Sequence, residues 1–254
     1  MTTQLTMFVQ AFDGGAALAM AMLVAAFAAR SATGFAADQR GYLQAAVIFV
    51  SIGFAFSTAV SAVGGFAGAL GGTPGLLLLV LSLVVPFAVG PTIAVASSSV
   101  RRLISQPEVQ PSVVAVHALR IIEGSVFVAM VPLGVLPAVF GLPAGLGDVL
   151  VGLGALPASR WISSRRRGRV VWWNLFGLLD LANATALGLM TTPGPLHVIE
   201  TNPTSALLLA SPLTIVPTFI VPIYVLLHLI SLRYLIASRS AVRLSRSVKL
   251  ETSS

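Results

Sequence analysis

The chain has 254 residues, of which 56% are hydrophobic and only 9% are charged, and its mean hydropathy is +0.95. Soluble domains carry about 25% charged residues, so this composition excludes a soluble globular protein and indicates that lipid is the main solvent. The formal net charge is +7, but the basic residues flank apolar segments, which favours anionic lipid headgroups over nucleic acid as the partner. The absence of cysteine excludes disulfides and thiolate metal sites.

Seven apolar segments follow one another along the chain, separated by short connections. About 20 apolar helical residues cross a bilayer core. Segments of roughly this length cover residues 5–29, 45–63, 74–95, 112–133, 142–158, 170–189 and 207–232, here numbered spans 1 to 7. They predict an all-α, polytopic transmembrane helix bundle over residues 1–236, followed by a basic cytoplasmic tail, 237–254, on the membrane surface.

The basic residues predict how this bundle is oriented. Lys and Arg are retained on the cytoplasmic side of a membrane, whereas the connections 64–72, 134–142 and 190–204 contain neither. Fourteen of the 15 basic residues fall into four clusters at the other span ends: Arg30 and Arg40, Arg101 and Arg102, Arg160 to Arg169, and Arg233 to Lys249. This alternation predicts a multi-pass membrane protein with its N-terminus outside and its C-terminus in the cytoplasm, and the resemblance described below places it in the cell (inner) membrane.

Spans 5 and 7 have unusual compositions. Small residues allow neighbouring helix backbones to approach closely, so span 5 is expected to be a short, tightly packed central helix that begins near Pro143 and contains Gly145, Gly147, Gly152 and Gly154. Proline removes a main-chain donor and favours kinks. Span 7 is therefore expected to be bent and packed inward by its three prolines, which are Pro212, Pro217 and Pro222.

Spans 4 and 6 contain charged and amide side chains that lipid does not solvate. Span 4 carries His117, Arg120 and Glu123, whose three-residue spacing places them on one face. Span 6 carries a second polar set at multiples of three, which consists of Asn174, Asp180 and Asn183. Span 6 has no basic residue, and Arg120 is the only one outside the four clusters. We therefore predict a contact between Arg120 and Asp180, while an Arg120–Glu123 pair within span 4 is the simpler alternative.

Three further polar residues complete the predicted set. Asp148 lies in the outer half of span 5, either as part of a polar core or as an acid near a helix N-terminus that the helix dipole favours. His228 lies one turn before Arg233, near the cytoplasmic face, at a depth that nearly matches His117. Two imidazoles at one level on different helices could be axial ligands of haem b or parts of a proton relay, and ordinary hydrogen bonding is the alternative.

The segment from about residue 117 to 228 resembles a group of bacterial polytopic inner-membrane proteins to which no function is assigned. The resemblance is carried by the Pro-Ala-Gly-Leu-Gly-Asp run at 143–148, by Trp173-Asn174 with Gly177 and Asp180, and by further matches at Arg120, Gly124, Phe127, the prolines of span 7 and His228. It implies an inner-membrane location and marks the same polar residues, but it implies no activity.

The motifs exclude several known classes of membrane protein. The only lysine is Lys249 in the tail, so span 7 lacks the residue that a retinal protein needs. The chain also has no His-Glu-x-x-His metal site, no Gly-x-Ser-x-Gly nucleophile and no nucleotide-binding loop. An enzyme is therefore not expected. Three hypotheses remain: a carrier for a small solute, coupled to protons or ions, a haem-binding electron-transfer subunit, and a non-catalytic assembly subunit. In the first, the predicted binding residues are Arg120, Glu123, Asp148, Asn174, Asp180 and Asn183.

Overall fold

The computed structural model describes residues 104–162, 164, 166–209 and 213–251, with side chains to residue 238. Predicted spans 1 to 3, together with Arg165 and Pro212, lie outside the described residues. The described part of the chain is helical and contains no strand. Its elements are α-helices Gln110–Ala115, Arg120–Met130, Ala138–Trp161, Arg167–Thr191 and Val221–Glu251, 3-10 helices Val116–Leu119 and Ser205–Leu209, and a π-helix Val216–Ile220.

Four of the helical segments are long and apolar enough to cross a membrane. They are Gln110–Met130, Ala138–Trp161, Arg167–Thr191 and Val216–Ser238. They correspond to predicted spans 4, 5, 6 and 7, and these span numbers are used for them from here on. The predicted all-helical class is confirmed for this part of the chain, and the length and composition of its four long helices agree with the predicted membrane spans. The count of seven and the orientation stay predictions.

Span 5 begins earlier than its sequence suggests, because the turn that precedes it is closed by a glycine. Gly134 has a φ of +67°, the left-handed conformation that glycine adopts without strain. Its amide donates to the carbonyl of Val131 at 2.9 Å, and the amide of Val135 donates to the carbonyl of Met130 at 3.0 Å. These two bonds form a Schellman motif that ends span 4.

The chain enters span 5 directly after this turn. Pro137 has an extended backbone, and its carbonyl accepts the amides of Phe140 and Gly141 at 3.1 and 2.8 Å. The helix therefore starts at Ala138 and has 24 residues. The prediction of a short helix that starts near Pro143 is wrong. Pro143 falls in the second turn, where it removes one main-chain donor without ending the helix.

Glycines on one edge of span 5 bring it close to span 4. A Cβ atom on Gly124 would lie 2.7 Å from the Cβ atom of Asp148, and one on Gly145 would lie 2.6 Å from the carbonyl oxygen of Gly124. A Cβ atom on Gly152 would lie 2.8 Å from the main-chain nitrogen of Ile121. Real Cβ contacts are not this short, so only glycine permits this approach of the two backbones.

A second glycine edge of span 5 faces span 6. A Cβ atom on Gly147 would overlap the carboxylate of Asp180, and one on Gly154 would lie 2.8 Å from the indole of Trp173. The Trp173 Nε1 donates to the carbonyl oxygen of Val151 at 3.0 Å. Span 5 is therefore packed closely on both sides, and its prediction as a tightly packed central helix is confirmed.

The remaining face of span 5 is exposed and apolar. Between 38% and 58% of the surface of each of its five leucines is accessible, and these residues are Leu142, Leu146, Leu150, Leu153 and Leu156. Their spacing of three and four residues places them on a single stripe. Such a stripe suits contact with acyl chains, which leaves the glycine edges for protein contacts.

Span 7 is interrupted at its beginning, as its prolines predict. A 3-10 helix, Ser205–Leu209, and a π-helix, Val216–Ile220, precede the long α-helix. Pro217 lies in the first turn of the π-helix. The α-helix then continues to Glu251 as one element. No main-chain break separates span 7 from the predicted tail, and the location of that tail on the membrane surface stays a prediction.

Candidate functional site

Arg120 is fully buried and joins span 4 to two neighbouring spans. Its Nε and Nη2 both approach Oδ1 of Asp148 in span 5 at 2.6 Å, and its Nη2 donates to Oδ2 of Asp180 in span 6. The predicted Arg120–Asp180 contact is confirmed. Sequence reasoning did not pair Asp148 with the same guanidinium, although the structure does.

The charged residues lie at the middle of their spans. Arg120 has ten residues of span 4 on either side, and Asp148 has ten residues of span 5 before it and thirteen after it. Asp180 has thirteen before and eleven after, and His228 has twelve before and ten after. Asp148 lies in the first half of span 5, and its predicted place in the outer half stays a prediction together with the orientation. His228 was predicted near one face, and the helix continues for ten residues of span 7 beyond it. With ten residues before it, Asp148 is also too far from a helix N-terminus for the dipole to matter.

A chain of hydrogen bonds leads from Arg120 through span 7 to span 6. The Arg120 Nη1 donates to Nε2 of His228 over 3.4 Å, and the His228 Nδ1 is 2.9 Å from Oδ1 of Asn174. Arginine can only donate, so Nε2 of His228 is the acceptor and its Nδ1 carries the hydrogen. Asn174 Nδ2 then donates to the hydroxyl of Ser231 and to the carbonyl of Val170, both at 2.9 Å.

His117 belongs to an aromatic stack that covers one side of this chain of hydrogen bonds. Its ring centroid is 3.9 Å from that of His228 and 5.1 Å from that of Tyr224, and the edge of Trp173 meets it at 5.2 Å. Neither ring nitrogen of His117 has a hydrogen-bond partner within the described ranges. The two imidazoles predicted to share one level therefore do so, in direct ring contact.

This ring contact does not fit an axial haem pair. With metal–nitrogen bonds of about 2 Å, two imidazoles that hold one iron between them have centroids about 6 Å apart. The centroids of His117 and His228 are 3.9 Å apart, and their planes are inclined by only 32°. There is no space for an iron atom, or for the wide porphyrin around it, between these rings.

Glu123 and Tyr224 form a further polar contact between spans 4 and 7. The Tyr224 hydroxyl donates to Oε1 of Glu123 at 3.1 Å, and both residues are buried. The ring of Tyr224 also lies 5.3 Å from the guanidinium carbon of Arg120. Sequence reasoning missed Tyr224. Its position one turn before His228 on the same helix face was the signal that could have found it.

Asn183 is not part of this cluster. Its side chain is exposed, whereas Asn174 and Asp180 are buried. Nine residues of α-helix make two and a half turns, so Asn183 lies on the opposite side of span 6 from Asn174. In span 4 the set stays on one face, because a 3-10 helix with three residues per turn leads from His117 into Arg120, and the α-helix needs only one further step of three to Glu123.

A pocket of about 70 Å³ opens beside the cluster. The polar side chains that line it come from spans 4 to 7, and they belong to Glu123, Asp148, Tyr224, Thr185 and Thr192. Apolar side chains form the rest of the described lining. A mostly apolar pocket with a few converging polar groups is the usual form of a small-molecule site.

Sequence comparison places the cluster within one family. The sequence profile of a domain of unknown function, DUF8737, matches residues 76–236, which include every residue of the cluster. The chain belongs to the DUF8737 family. No curated protein and no solved structure matches it. The resemblance to an uncharacterised group of membrane proteins agrees with this assignment.

Within the described residues, the guanidinium of Arg120 is shared between two carboxylates of the DUF8737 cluster, those of Asp148 and Asp180. Two acids that share one buried cation are a setting in which a proton or another cation can be exchanged. No group of three or more His, Asp or Glu side chains in the described ranges has the arrangement of a metal site.

Proposed function

We propose that this DUF8737 protein is a membrane transporter that carries a small solute, coupled to a proton or another ion, through the pocket beside Arg120. The observation that carries the proposal is a pocket lined by Asp148, the same carboxylate that pairs with buried Arg120 at the middle of its span. Ionisable groups at the middle of membrane helices, next to interrupted helices, are how secondary transporters build binding sites.

Asp148 is the proposed coupling residue, because it belongs to the pocket and to the ion cluster at once. A proton or cation that arrives at Asp148 weakens its attraction to Arg120, which keeps Asp180 as its second partner. The contact between spans 4 and 5 then loosens while the contact between spans 4 and 6 remains. A ligand can shift a conformational equilibrium only through such a difference between states.

The sign of the transported charge follows from the contacts of Arg120. Its donors are directed at Asp148, Asp180 and His228. The guanidinium therefore has no evident role as the anchor of an anionic substrate, which was one role open to it from the sequence. The pocket carboxylates favour a cationic or proton-coupled substrate instead.

The remaining parts of the proposal concern the whole chain. Seven spans, an extracytoplasmic N-terminus and a cytoplasmic C-terminus are supported by the alternation of basic clusters, and the resemblance to a group of bacterial inner-membrane proteins supports that location. Reporter fusions at residues 68, 138 and 197, and at the C-terminus, test them. The first three positions are expected on one side of the membrane and the last on the other.

Proton flux in proteoliposomes tests the transport proposal. Purified full-length protein is reconstituted with an internal pH-sensitive dye, and a potassium gradient with valinomycin imposes a membrane potential. We expect proton entry above that of empty vesicles, and loss of at least 90% of it in Asp148→Asn. Asn183→Ala, at an exposed position on span 6, is the matched control and should retain the wild-type rate. A folded protein with no proton flux contradicts coupling to protons, and equal flux in Asp148→Asn contradicts the role proposed for Asp148.

A structural role is the second candidate, and one contact favours it. Arg120 binds carboxylates from two other spans, so it could serve only to lock three helices together. Under that role, Asp148→Asn reduces folding yield and flux in proportion. Under the transport role, the variant is folded, elutes as a single species in detergent, and is inactive.

A further inference from the structure

Both acidic side chains of the pocket lining come from spans 4 and 5. They are Glu123 and Asp148, and Glu123 accepts a hydrogen bond from the Tyr224 hydroxyl of span 7. Aromatic and aliphatic side chains such as Phe127 and Phe140 also line the pocket, and these two rings have centroids 5.6 Å apart. The pocket lining therefore combines acidic groups, here called its acidic end, with apolar walls.

Asp148 retains an acceptor at this acidic end. Both close approaches of Arg120 are made to Oδ1, and Oδ2 accepts no hydrogen bond from the described part of the chain. The residue is only 9% exposed and lines the pocket. A carboxylate can accept hydrogen bonds at both of its oxygens, so Oδ2 is suited to a ligand that brings its own N–H group.

A metal ion fits this site poorly. Calcium and magnesium take six or more oxygen ligands, which usually include several carboxylates, and the described residues contain no group of three or more His, Asp or Glu side chains that could hold a metal ion. An organic cation fits this pocket better than a metal ion does. Its charged group needs only a few hydrogen-bond acceptors, and burial of its carbon atoms against apolar side chains is favourable. The volume of about 70 Å³ is less than half of the roughly 150 Å³ cavity that admits benzene.

We propose that the pocket binds a small primary alkylammonium ion of about two to four carbon atoms. The ammonium donates to Asp148 Oδ2 and to the carboxylate of Glu123, and the alkyl chain lies against the apolar part of the lining, which includes Phe127 and Phe140. This inference depends on the proposed function only where it identifies the alkylammonium ion as the solute that is transported. Binding itself does not require that transport occurs.

Ligand titrations of the full-length protein in detergent test the inference. Intrinsic tryptophan fluorescence and thermal unfolding are followed during titration with propylammonium chloride, at constant ionic strength. The comparison ligands are sodium propionate, 1-propanol and tetramethylammonium chloride. Propylammonium is expected to bind saturably and at least tenfold more tightly than each of them. Equal or weaker binding of propylammonium overturns the inference, and tighter binding of tetramethylammonium shows that N–H donors are not what the site recognises.

Two variants make the test specific. Asp148→Asn should weaken propylammonium binding at least tenfold. Gly188→Ala leaves the Arg120 contacts untouched, and its new methyl group would meet Phe140 at an ordinary 3.4 Å while reducing the pocket volume. It should weaken butylammonium about tenfold more than methylammonium, since one methylene of misfit changes affinity by roughly 10- to 200-fold. An unchanged preference for chain length in Gly188→Ala contradicts binding in this pocket.

The result separates the two proposals. Alkylammonium binding without any flux supports this inference and removes the transport proposal. Proton flux without alkylammonium binding removes this inference and leaves transport in place.

Discussion

The substitution Arg120→Met keeps most of the length of the side chain and removes its charge. Asp148 and Asp180 then lose their shared cation, while only 12% and 6% of their side-chain surfaces are accessible to solvent. Removing one partner of a buried ion pair destabilises a protein by about 3–5 kcal/mol. We expect a loss of this size in the free energy of unfolding, which is a large part of the roughly 5–15 kcal/mol typical of folded proteins.

Unfolding in mixed detergent measures this loss. The three tryptophans of the chain are Trp161, Trp172 and Trp173, at the end of span 5 and in span 6, so their fluorescence during a titration with sodium dodecyl sulfate reports on this part of the bundle. Arg233→Met is the matched control, because Arg233 is exposed. It should change the free energy of unfolding by less than about 0.5 kcal/mol.

A neutral triple variant separates charge from shape. Adding Asp148→Asn and Asp180→Asn to Arg120→Met removes all three charges, so no buried carboxylate is left without its cation. At least half of the lost stability should return, while proton flux should not. If the stability of Arg120→Met lies within about 1 kcal/mol of the wild type, or if the triple variant is less stable than Arg120→Met, then Arg120 does not stabilise the bundle by neutralising the two aspartates.

Three other changes have definite expected outcomes. Gly147→Ala places a methyl group on the Asp180 carboxylate and should destabilise the protein by about 1–3 kcal/mol, whereas Gly188→Ala should be near neutral in the same unfolding titration. Tyr224→Phe removes the hydroxyl that donates to Glu123 and should cost about 1.5–3 kcal/mol. A near-neutral result would show that this bond does not stabilise the fold. The purified protein should have no Soret absorption, because the ring contact of the two histidines leaves no place for iron. A haem spectrum that survives purification would contradict this geometry.

The polar cluster was partly predictable, because a charged side chain within the bilayer needs a polar or charged partner from the protein. Arg120 was the only cation outside the basic clusters, and span 6 had none of its own. Asp180 therefore had one candidate partner, and the structure contains that pair. The predicted close packing of span 5 also follows directly from glycine, whose missing side chain is visible in any sequence.

The start of span 5 was predicted less well than the contact between Arg120 and Asp180. Pro143 has the sequence features of a helix start, but the turn at Gly134 allows the helix to begin earlier, at Ala138. Ten helical residues therefore precede Asp148. Both Gly134 and Pro143 are visible in the sequence, and nothing in the sequence shows which of them determines the start of the helix. The prediction that Asn183 belongs to the cluster was wrong for a different reason. Residues spaced three apart do not stay on one face of an α-helix, which has 3.6 residues per turn.

Other features of the site depend on contacts between distant segments. Tyr224 became significant only when its hydroxyl met Glu123, which is 101 positions earlier in the chain. The ring contact between His117 and His228 likewise depends on how spans 4 and 7 cross. Gly177 explains part of this crossing, because a Cβ atom there would overlap the His228 imidazole. No local pattern encodes such distances.

The short 3-10 segment before Arg120 sets the angle at which two side chains leave one helix. From His117 to Arg120, three residues at about 120° each complete one full rotation, whereas an ordinary α-helix would cover about 300°. Relaxing these four residues, Val116–Leu119, would therefore swing the imidazole about 60° around the axis while the guanidinium stayed on its aspartates. The winding of this one turn thus fixes the angle around the helix axis between His117, in the aromatic stack, and Arg120, in the ion cluster.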